Sequence, residues 1–594
     1  MASLSKTKSF SNIVAKPGFN TQPLGAFKAF SNTPLFAAGN FIPFCLLFSA
    51  LGLLLLMECL LNLTPPISRD GMIHHLAIPK LWLRHGGFYE IPWADFSYFP
   101  MNINLLYTLC LYLKNDIAPK FIHMAFAWGT GFLIYRYLKD CYGRNWGLLG
   151  FFIFISTPII IWLSTSEYID LGMTFFTTAS ILALVKWRDS QYLQLKWLLL
   201  SACSMGLALG SKYNAMLAWF IVNLLVLVIY VRDTQDQKQA IKYGLFFFVI
   251  SAAVASPWYI KNYVLTGNPF YPLFNTFFQG LAQSINPLTA VIQKEIVEKS
   301  DAVNFFQLRH ILYGESFWET LFIPIRMFFQ GDDNSYQYFQ GRLNPILLLF
   351  APFMFLDRAR KAENRFFAMF SVLFIFMAFF LTAKQVRYLL PVFPFLTILA
   401  VAGMKSIWDV FEKEDVFSRV KSRHGLKVLV NGILWLSVAL LLWPNVTYLK
   451  ERFGIIKPLP YIMGRESRDD FLKRQLPHYE VDLFVNENLP ENARIFTILY
   501  GRRGYYFDRE YKNQPNFGTA TLSNWVTQSQ DEEKFTKAVK SMNITHVILR
   551  TDLADRYLAT NFSETEIRRF MTLVMLHWKM IYKKNDFAVW EVDK

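Results

Sequence analysis

A short stretch, residues 68–80, combines side chains that can carry acid–base chemistry. Asp70 stands near its start, and His74 and His75 follow about one helical turn later. The stretch comes directly after a long apolar run, so it lies at the end of a segment that could cross a membrane. A charged group is costly at such a place unless it has a function, although solvated acidic residues near helix ends are also common. The rest of the chain favours the functional interpretation.

The composition is that of a polytopic membrane protein. Of 594 residues, 53% are hydrophobic and only 18% are charged, which is far more apolar than a soluble chain of this size. The formal net charge is +16, but the Lys and Arg residues concentrate in short segments between apolar runs, as they do in cytoplasmic loops. We therefore expect no nucleic acid as a partner. The five cysteines have no ligand-like spacing and predict neither a zinc site nor a disulfide framework.

The apolar runs divide the chain into three predicted parts. They are a disordered basic cytoplasmic tail (1–40), a transmembrane module (41–443) and a small extracytoplasmic α/β domain (444–594). Within the module we predict about eleven transmembrane helices, a first outer loop at 64–100 and a long outer loop at 257–342. The predicted fold class is thus a polytopic α-helical membrane protein with a small C-terminal α/β domain.

The distribution of basic residues predicts which side of the membrane each loop occupies. Basic residues before the first apolar run place the N-terminus in the cytoplasm. The apolar piece 102–113 is too short to cross a bilayer, so we assign it to the outer loop structure. With that assignment, Asp70 and the later polar clusters all lie at the outer face, and so does the C-terminal domain. We expect a multi-pass integral protein of a bacterial cell (inner) membrane.

Carboxylates and cations are gathered at this predicted outer face. The carboxylates are Asp70, Glu167 and Asp170, and the candidate substrate-binding residues are His74, His75, Lys212, Lys261, Arg387 and Tyr388. Cations suit a lipid-borne phosphate, and a carboxylate can take a proton from a neutral hydroxyl. Glycosyl transfer needs both functions, because a base must activate the acceptor while the charge of the departing phosphate is stabilised. Asp70 is therefore our predicted general base.

Five motifs in order along the chain resemble one group of enzymes. They are the acidic residue of the first loop, Ser166-Glu-Tyr-Ile-Asp-Leu-Gly-Met-Thr-Phe-Phe, Gly210-Ser-Lys-Tyr, Ser256-Pro-Trp-Tyr-Ile-Lys-Asn with Thr266-Gly-Asn-Pro-Phe, and Arg387-Tyr-Leu-Leu-Pro. Over 41–443 the chain resembles the polyprenyl-phosphate-dependent membrane glycosyltransferases of the GT-C fold. These are the relatives of the protein O-mannosyltransferases and of the lipid A aminoarabinose transferase, and the external domain is similar to the tail of bacterial members.

This resemblance implies an inverting transferase. Its donor would be a sugar on dolichyl or undecaprenyl phosphate, and its acceptor a hydroxyl group of a lipid, glycan or protein. The best-known members carry two adjacent acidic residues in the first loop, whereas here Gly71 follows Asp70. A second acidic partner would have to come from elsewhere, and Glu167 and Asp170 are both candidates.

Several of these residues also have structural interpretations. Asp170 could cap the helix that starts at Leu171, and Lys212 and Arg387 could reach towards lipid headgroups. His74 and His75 are neighbours, so on a helix they would point about 100° apart and would not easily face one metal ion. We predict no metal site from their spacing. Carboxylates and histidines can bind a divalent cation as a cofactor, but no spacing between these residues requires one.

A transporter or lipid flippase is the alternative function. Such a protein should carry ionisable residues or helix breaks near the membrane centre in both halves, as an internal repeat. The sequence shows no repeat, and its suspicious charges lie at one predicted face. The glycosyltransferase interpretation is therefore preferred.

Overall fold

The computed structural model describes most of the chain. The described residues are 38–275, 277–278, 304–412, 423–514 and 520–592. Nearly all of the predicted tail lies outside them, and so does part of the predicted long outer loop.

Helices dominate the N-terminal three quarters of the described chain. The α-helices are α1 Ala38–Asn62, α2 Ala77–His85, α3 Asn102–Tyr112, α4 Ala118–Tyr142, α5 Arg144–Ser156, α6 Pro158–Ser164, α7 Asp170–Asp189, α8 Leu195–Leu209, α9 Ala215–Thr234, α10 Gln237–Thr266, α11 Phe305–Tyr313, α12 Phe317–Leu321, α13 Ile323–Arg326, α14 Ile346–Phe350, α15 Lys361–Leu381, α16 Phe393–Glu412 and α17 Arg423–Ile456. Tighter or wider turns are a π-helical turn at Gly71–His75 and 3₁₀ turns at Asp95–Tyr98, Ala351–Leu356 and Val386–Val392. One large apolar core joins α4 to α10 with α14 to α16.

Five helical segments of the described residues are long and apolar enough to cross a membrane. They are Phe44–Asn62, Ala215–Thr234, Gln237–Thr266, Lys361–Leu381 and Val386–Val410. The pair α5 and α6, bent by 68° at Thr157, would make a sixth if it is one broken span. The prediction of a polytopic helical membrane protein is confirmed. As predicted, α3 is a short helix of 11 residues outside this set.

Helix α10 corrects one predicted boundary. We expected a crossing to end at Ser256 and an outer loop to begin at Pro257, but the helix continues through Pro257 to Thr266. Proline removes one backbone donor and so leaves the carbonyl four residues earlier without its usual partner. The hydroxyl of Ser256 donates to that carbonyl, on Ala253, at 2.8 Å. Because the freed acceptor is satisfied, the helix does not have to end there.

A second boundary also differs from the prediction. The last apolar run was expected to end at Trp443, with the soluble domain following at 444. Helix α17 instead continues through Pro444 as far as Ile456. Asn445 on this helix donates to the hydroxyl of Ser156 at 2.9 Å and accepts from Asn344 at 2.7 Å. These contacts fix the helix beyond Pro444 to the bundle.

The C-terminal part is a small α/β domain, as predicted. Its elements are α18 Pro458–Ile462, α19 Arg468–Gln475, α20 Tyr479–Asn488, β1 Arg494–Ile498, β2 Glu510–Asn513, α21 Ala520–Gln528, α22 Glu532–Lys540, β3 His546–Arg550, α23 Thr551–Asn561, α24 Glu564–His577, β4 Trp578–Lys584 and β5 Phe587–Val592. The strand order is β2-β1-β3-β5-β4. Strands β2, β1 and β3 are parallel, whereas β5 pairs antiparallel with both β3 and β4. Strands β4 and β5 form a hairpin around Asn585.

The loop between β1 and β2 holds the domain against the first interhelical loop. Lys80 of α2 donates to the carbonyls of Tyr505 and Phe507 at 2.8 and 3.0 Å and to Asp508 at 3.0 Å. The hydroxyl of Tyr506 donates to the carbonyl of Pro66 at 2.6 Å. The domain therefore contacts both sides of the stretch that contains Asp70.

The Lys80 contacts give a stability prediction. Lys80→Met should destabilise the docked domain by about 1–3 kcal/mol, because the two carbonyls and Asp508 lose a shared donor. A lower thermal unfolding temperature of the purified full chain in detergent would show this. The control is Lys534→Met, because Lys534 is 69% exposed and its contact with Asp531 is long, at 3.7 Å. Equal unfolding temperatures for the two variants would contradict the prediction.

Candidate active site at one end of the helix bundle

A π-helical turn shapes the backbone around Asp70. The amide of Leu76 donates to the carbonyl of Gly71, five residues earlier, at 2.9 Å. Such wide turns are rare and frequently lie at functional sites. The turn is held from the C-terminal domain as well, since the amide of Gly504 donates to the carbonyl of Met72 at 3.3 Å. Asp70 is therefore presented from a backbone that two domains support.

Asp70 forms an ion pair with Arg387. A guanidinium nitrogen of Arg387 lies 2.5 Å from Oδ2 of Asp70, and the two side chains are 15% and 17% exposed. Arg387 comes from the 3₁₀ turn before α16, and its Nε also donates to Gln385 at 2.8 Å. Its guanidinium lies over the rings of Tyr168 and Tyr388, at 5.5 and 5.4 Å. A residue pair separated by 317 positions is thus brought into direct contact.

Lys212 and Asp170 form a second ion pair. Nζ of Lys212 lies 2.5 Å from Oδ1 of Asp170, whose side chain is fully buried. Oδ2 of Asp170 is buried and has no hydrogen-bond partner among the described residues. Helix α7 begins at Asp170 itself, and among the described residues the carboxylate contacts Lys212 rather than a backbone amide of the helix. The expected capping role was wrong, because this carboxylate is turned towards Lys212. Lys212 also lies 5.5 Å from the ring centre of Tyr388.

Glu167 is buried directly beside the turn that carries Asp70. The hydroxyl of Ser68 donates to Oε2 of Glu167. A Cβ atom on Gly71 would lie 2.5 Å from Oγ of Ser68 and 2.9 Å from Oε2 of Glu167. Only glycine therefore leaves room for this approach. The carboxylate of Glu167 therefore occupies the space that a side chain on the residue after Asp70 would need.

His74 and His75 are closer to one another than the sequence indicated. Their ring centres are 3.9 Å apart. One ring nitrogen of each histidine and one carboxylate oxygen of Asp70 all lie within 4.8 Å of one another. The expectation that neighbouring histidines diverge was wrong here, because the π-helical turn changes their relative direction. Nδ1 of His74 is buried, and none of the described residues forms a hydrogen bond with it. Two imidazoles and a carboxylate suit a divalent cation such as zinc or manganese.

The electrostatic surroundings keep Asp70 charged and the histidines neutral. Burial by itself would raise the pKa of Asp70, but Arg387 and the other nearby cations lower it to about 2. Burial lowers the pKa of His74 to about 4 and that of His75 well below its usual value. Burial raises the pKa of Glu167, against the attraction of Lys120 and the hydrogen bond from Ser68. The pKa values of the two neighbouring carboxyl groups, Asp70 and Glu167, are thus shifted in opposite directions.

Lys261 is the predicted site residue that the structure places apart from the ion pairs. It lies on α10, donates to the carbonyl of Ser97 at 2.7 Å, and sits 5.2 Å from a ring of Trp258. These contacts tie α10 to the 3₁₀ turn at Asp95–Tyr98. The same turn covers His74, since the rings of His74 and Phe96 stack at 4.3 Å.

Sequence reasoning missed a polar layer below the site. Lys120 is buried and donates to the carbonyl of Thr64 at 2.6 Å. His123 accepts at Nε2 from the amide of Leu171 at 2.9 Å, next to Asp170. Glu58 is fully buried and accepts from Trp128 and Ser164 at 2.7 and 2.8 Å. The sequence signal that could have revealed this layer is the presence of a lysine, a histidine and a glutamate inside apolar runs.

Comparison with known protein families gives one match. Residues 100–278 match the family model described as dolichyl-phosphate-mannose-protein mannosyltransferase. This region contains Glu167, Asp170, Lys212 and Lys261. No curated protein sequence matches the chain.

Comparison with solved structures extends the similarity to almost the whole chain. ArnT from Cupriavidus metallidurans, bound to undecaprenyl phosphate, has a TM-score of 0.52 and 13% sequence identity, covering 93% of this chain and 98% of ArnT. The archaeal oligosaccharyltransferase AglB from Archaeoglobus fulgidus, in complex with an inhibitory peptide and a dolichol-phosphate, has a TM-score of 0.50 and 11% identity, covering 85% of this chain and 70% of AglB. The resemblance drawn from the sequence is confirmed: the chain has the fold of these two solved structures, and residues 100–278 are similar to the dolichyl-phosphate-mannose-protein mannosyltransferases.

Proposed function

We propose that this protein transfers a sugar from a polyprenyl-phosphate donor to a hydroxyl acceptor, with inversion at the anomeric carbon. The observation that carries the proposal is the Asp70–Arg387 ion pair, with the Lys212–Asp170 pair beside it. Together the two ion pairs supply a carboxylate for the acceptor and cations for the phosphate within one site. The related structures hold undecaprenyl phosphate and a dolichol-phosphate, which supports a lipid phosphate as the donor group.

Arg387 and Lys212 are the proposed phosphate-binding residues. Each is now paired with a carboxylate, so a donor phosphate would compete with Asp70 and Asp170 for them. As the bond between the anomeric carbon and the phosphate oxygen breaks, negative charge grows on the leaving phosphate. Cations held in a partly buried site stabilise that charge more strongly than they would in water.

Asp70 is the proposed general base. The acceptor hydroxyl attacks the anomeric carbon from the face opposite the phosphate and gives its proton to the carboxylate. When Arg387 turns to the donor phosphate, less positive charge remains beside Asp70 to oppose the effect of burial. The pKa of Asp70 then rises, and Asp70 becomes a stronger base. Donor binding would in this way prepare the base for the acceptor.

Glu167 is the proposed second acidic residue of the site. It approaches the turn over Gly71, so it supplies a carboxyl group where the best-known relatives have an adjacent acidic residue. Asp170, the other candidate, is engaged with Lys212 and is better suited to orient that lysine.

A divalent cation would be held by Asp70, His74 and His75. The neutral, buried histidines and the unpartnered Nδ1 of His74 suit this role. When bound, the cation would add positive charge next to the leaving phosphate. The phosphate contacts of Arg387 and Lys212 do not depend on it.

The reaction would take place at the outer face of a bacterial cell membrane. Basic loops support about eleven crossings with a cytoplasmic N-terminus and an extracytoplasmic C-terminal domain. The transporter alternative is not favoured, because the charged groups gather at one end of the bundle and the family match is to glycosyltransferases.

The base assignment predicts the effect of Asp70→Asn. The amide cannot take a proton, so turnover should fall by about 10²–10⁴-fold while the protein stays folded. Transfer of labelled sugar from a panel of polyprenyl-phosphate monosaccharides, with cell-envelope extract as acceptor, measures this. The control is Glu451→Gln, which breaks a more exposed ion pair with Arg342. Near-normal transfer by Asp70→Asn would rule out Asp70 as the base.

Removal of Arg387 should change the pH profile. With its pKa at about 2, Asp70 stays ionised from pH 5 to pH 8 in the native protein, so its protonation causes no loss of rate there. In Arg387→Gln, the largest charge that opposes the effect of burial is gone, so the pKa of Asp70 rises. Turnover should then fall as the pH is lowered from 7 to 5, and the KM for donor should rise more than that for acceptor. Arg387→Lys should keep most of the native profile. An unchanged profile in Arg387→Gln would refute the proposed coupling.

The close approach at Gly71 predicts a third effect. In Gly71→Ala the new methyl group collides with Ser68 and Glu167, so turnover should fall about tenfold or more. Gly87→Ala is the matched control, because a Cβ there lies more than 4 Å from the other described residues. The same initial-rate assay applies. If both alanine variants turn over alike, Glu167 has no role that depends on its distance from the turn.

A further inference from the structure

A second charged region lies at the opposite end of the helix bundle. Helix α7 begins at Asp170 in the active site and ends at Asp189. Its 20 residues rise about 30 Å, which is the thickness of the hydrocarbon core of a bilayer. Helix α9 likewise starts just after Lys212 and ends at Thr234. Arg188 and Arg232 are therefore separated from the ion pairs of the active site by about one membrane thickness.

A cavity of about 210 Å³ opens between α7, α9 and α15 at this end. Its apolar wall is formed by Leu184, Val185, Ile229, Phe366 and Met369. Its charged lining is formed by Arg188, Arg232, Arg365 and Glu363. The cavity thus joins a hydrocarbon-like surface to a cationic one.

The charges around the cavity leave cations in excess. Asp233 accepts from Arg188 at 2.6 Å and from Arg232 at 3.1 Å, so two arginines share one carboxylate. Glu363 is paired with Arg360 at 3.1 Å. Among the described residues, Arg365 has no carboxylate within 4.0 Å. The lining thus holds three arginines and one carboxylate, Glu363, which is itself paired with Arg360, so the arginines have capacity for a further anion.

Aromatic residues also gather at this end of the bundle. Trp187, Tyr192, Tyr230 and Tyr243 form one cluster with ring centres 4.7–5.9 Å apart. Trp and Tyr are enriched where lipid headgroups meet the hydrocarbon core. Because α7 rises about one hydrocarbon thickness from Asp170, the cavity at its far end is at the depth at which a lipid phosphate lies.

We propose that this cavity binds a lipid with an anionic phosphate head, with the phosphate at Arg188, Arg232 and Arg365 and the first part of a hydrocarbon chain along the apolar wall. Sites for whole drug-sized ligands occupy about 300–1,000 Å³, so this smaller space suits a headgroup and the start of a chain. Arginine's fork of donors matches phosphate oxygens. The source of the phosphate is either a bilayer phospholipid or a polyprenyl phosphate, which share this chemistry.

Retention of lipid by the purified full chain tests the proposal. Protein in detergent is incubated with phosphatidylglycerol, with undecaprenyl phosphate or with zwitterionic phosphatidylcholine, and bound lipid is counted by native mass spectrometry. Two variants attack the site differently: the double variant Arg232→Gln with Arg365→Gln removes cations, and Met369→Trp fills the apolar wall. Lys238→Gln is the control, because Lys238 is exposed at the start of α10 and lies outside the cavity lining.

We expect the native protein to retain an anionic phosphate lipid in preference to phosphatidylcholine. Retention of that lipid should fall about tenfold in the double variant, clearly in Met369→Trp, and not in Lys238→Gln. The lipid whose retention falls identifies the source. Unchanged retention of both phosphate lipids in the double variant would overturn the proposal, and so would an equal loss in Lys238→Gln. Because this cavity is remote from Asp70, failure here would leave the proposed glycosyl transfer unaffected.

Discussion

The cost of placing charge next to a membrane determines how this site is built. Asp70 and Asp170 are removed from most solvent, and each has a cation in contact at 2.5 Å. Loss of one partner from a buried ion pair costs about 3–5 kcal/mol, because the remaining charge has no solvent to stabilise it. The elements that carry Arg387 and Lys212 are therefore held to those that carry the carboxylates. A ligand that binds Arg387 or Lys212 must therefore offset the free-energy cost of leaving the paired carboxylate without its cation.

The surrounding helices can be understood from this requirement. Arg387 comes from the turn before α16, Lys212 from the turn between α8 and α9, and Asp170 from the start of α7. Each cationic or acidic residue stands where a helix begins or a turn ends, so that hydrophobic helix bodies remain in the apolar core. The C-terminal domain adds a second constraint, because Lys80 and Tyr506 join it to both flanks of the acidic turn. Motion of that domain relative to the bundle would disturb the turn directly.

Much of this arrangement could be predicted from the sequence, because hydropathy and basic loops report helix ends well. Those patterns identified a polytopic helical protein, a C-terminal α/β domain and the two cations that contact Asp70 and Asp170. They could not identify which carboxylate meets which cation, since contacts between distant segments depend on packing. They also failed at Pro257, where the hydroxyl of Ser256 satisfies a freed carbonyl, and at His74 and His75, where a π-helical turn replaces ordinary helix geometry. Local exceptions of this kind leave little trace in residue patterns.

The glycine after Asp70 has a consequence for how distant relatives are recognised. Ser68 contacts Glu167, a residue 99 positions further along the chain, across the space that a side chain on Gly71 would fill. An acidic residue at position 71 and the present position of Glu167 therefore exclude one another sterically. A search that demands two consecutive acidic residues in the first loop would discard this chain, whereas a profile that couples a glycine at one position to a glutamate at the other would retain it.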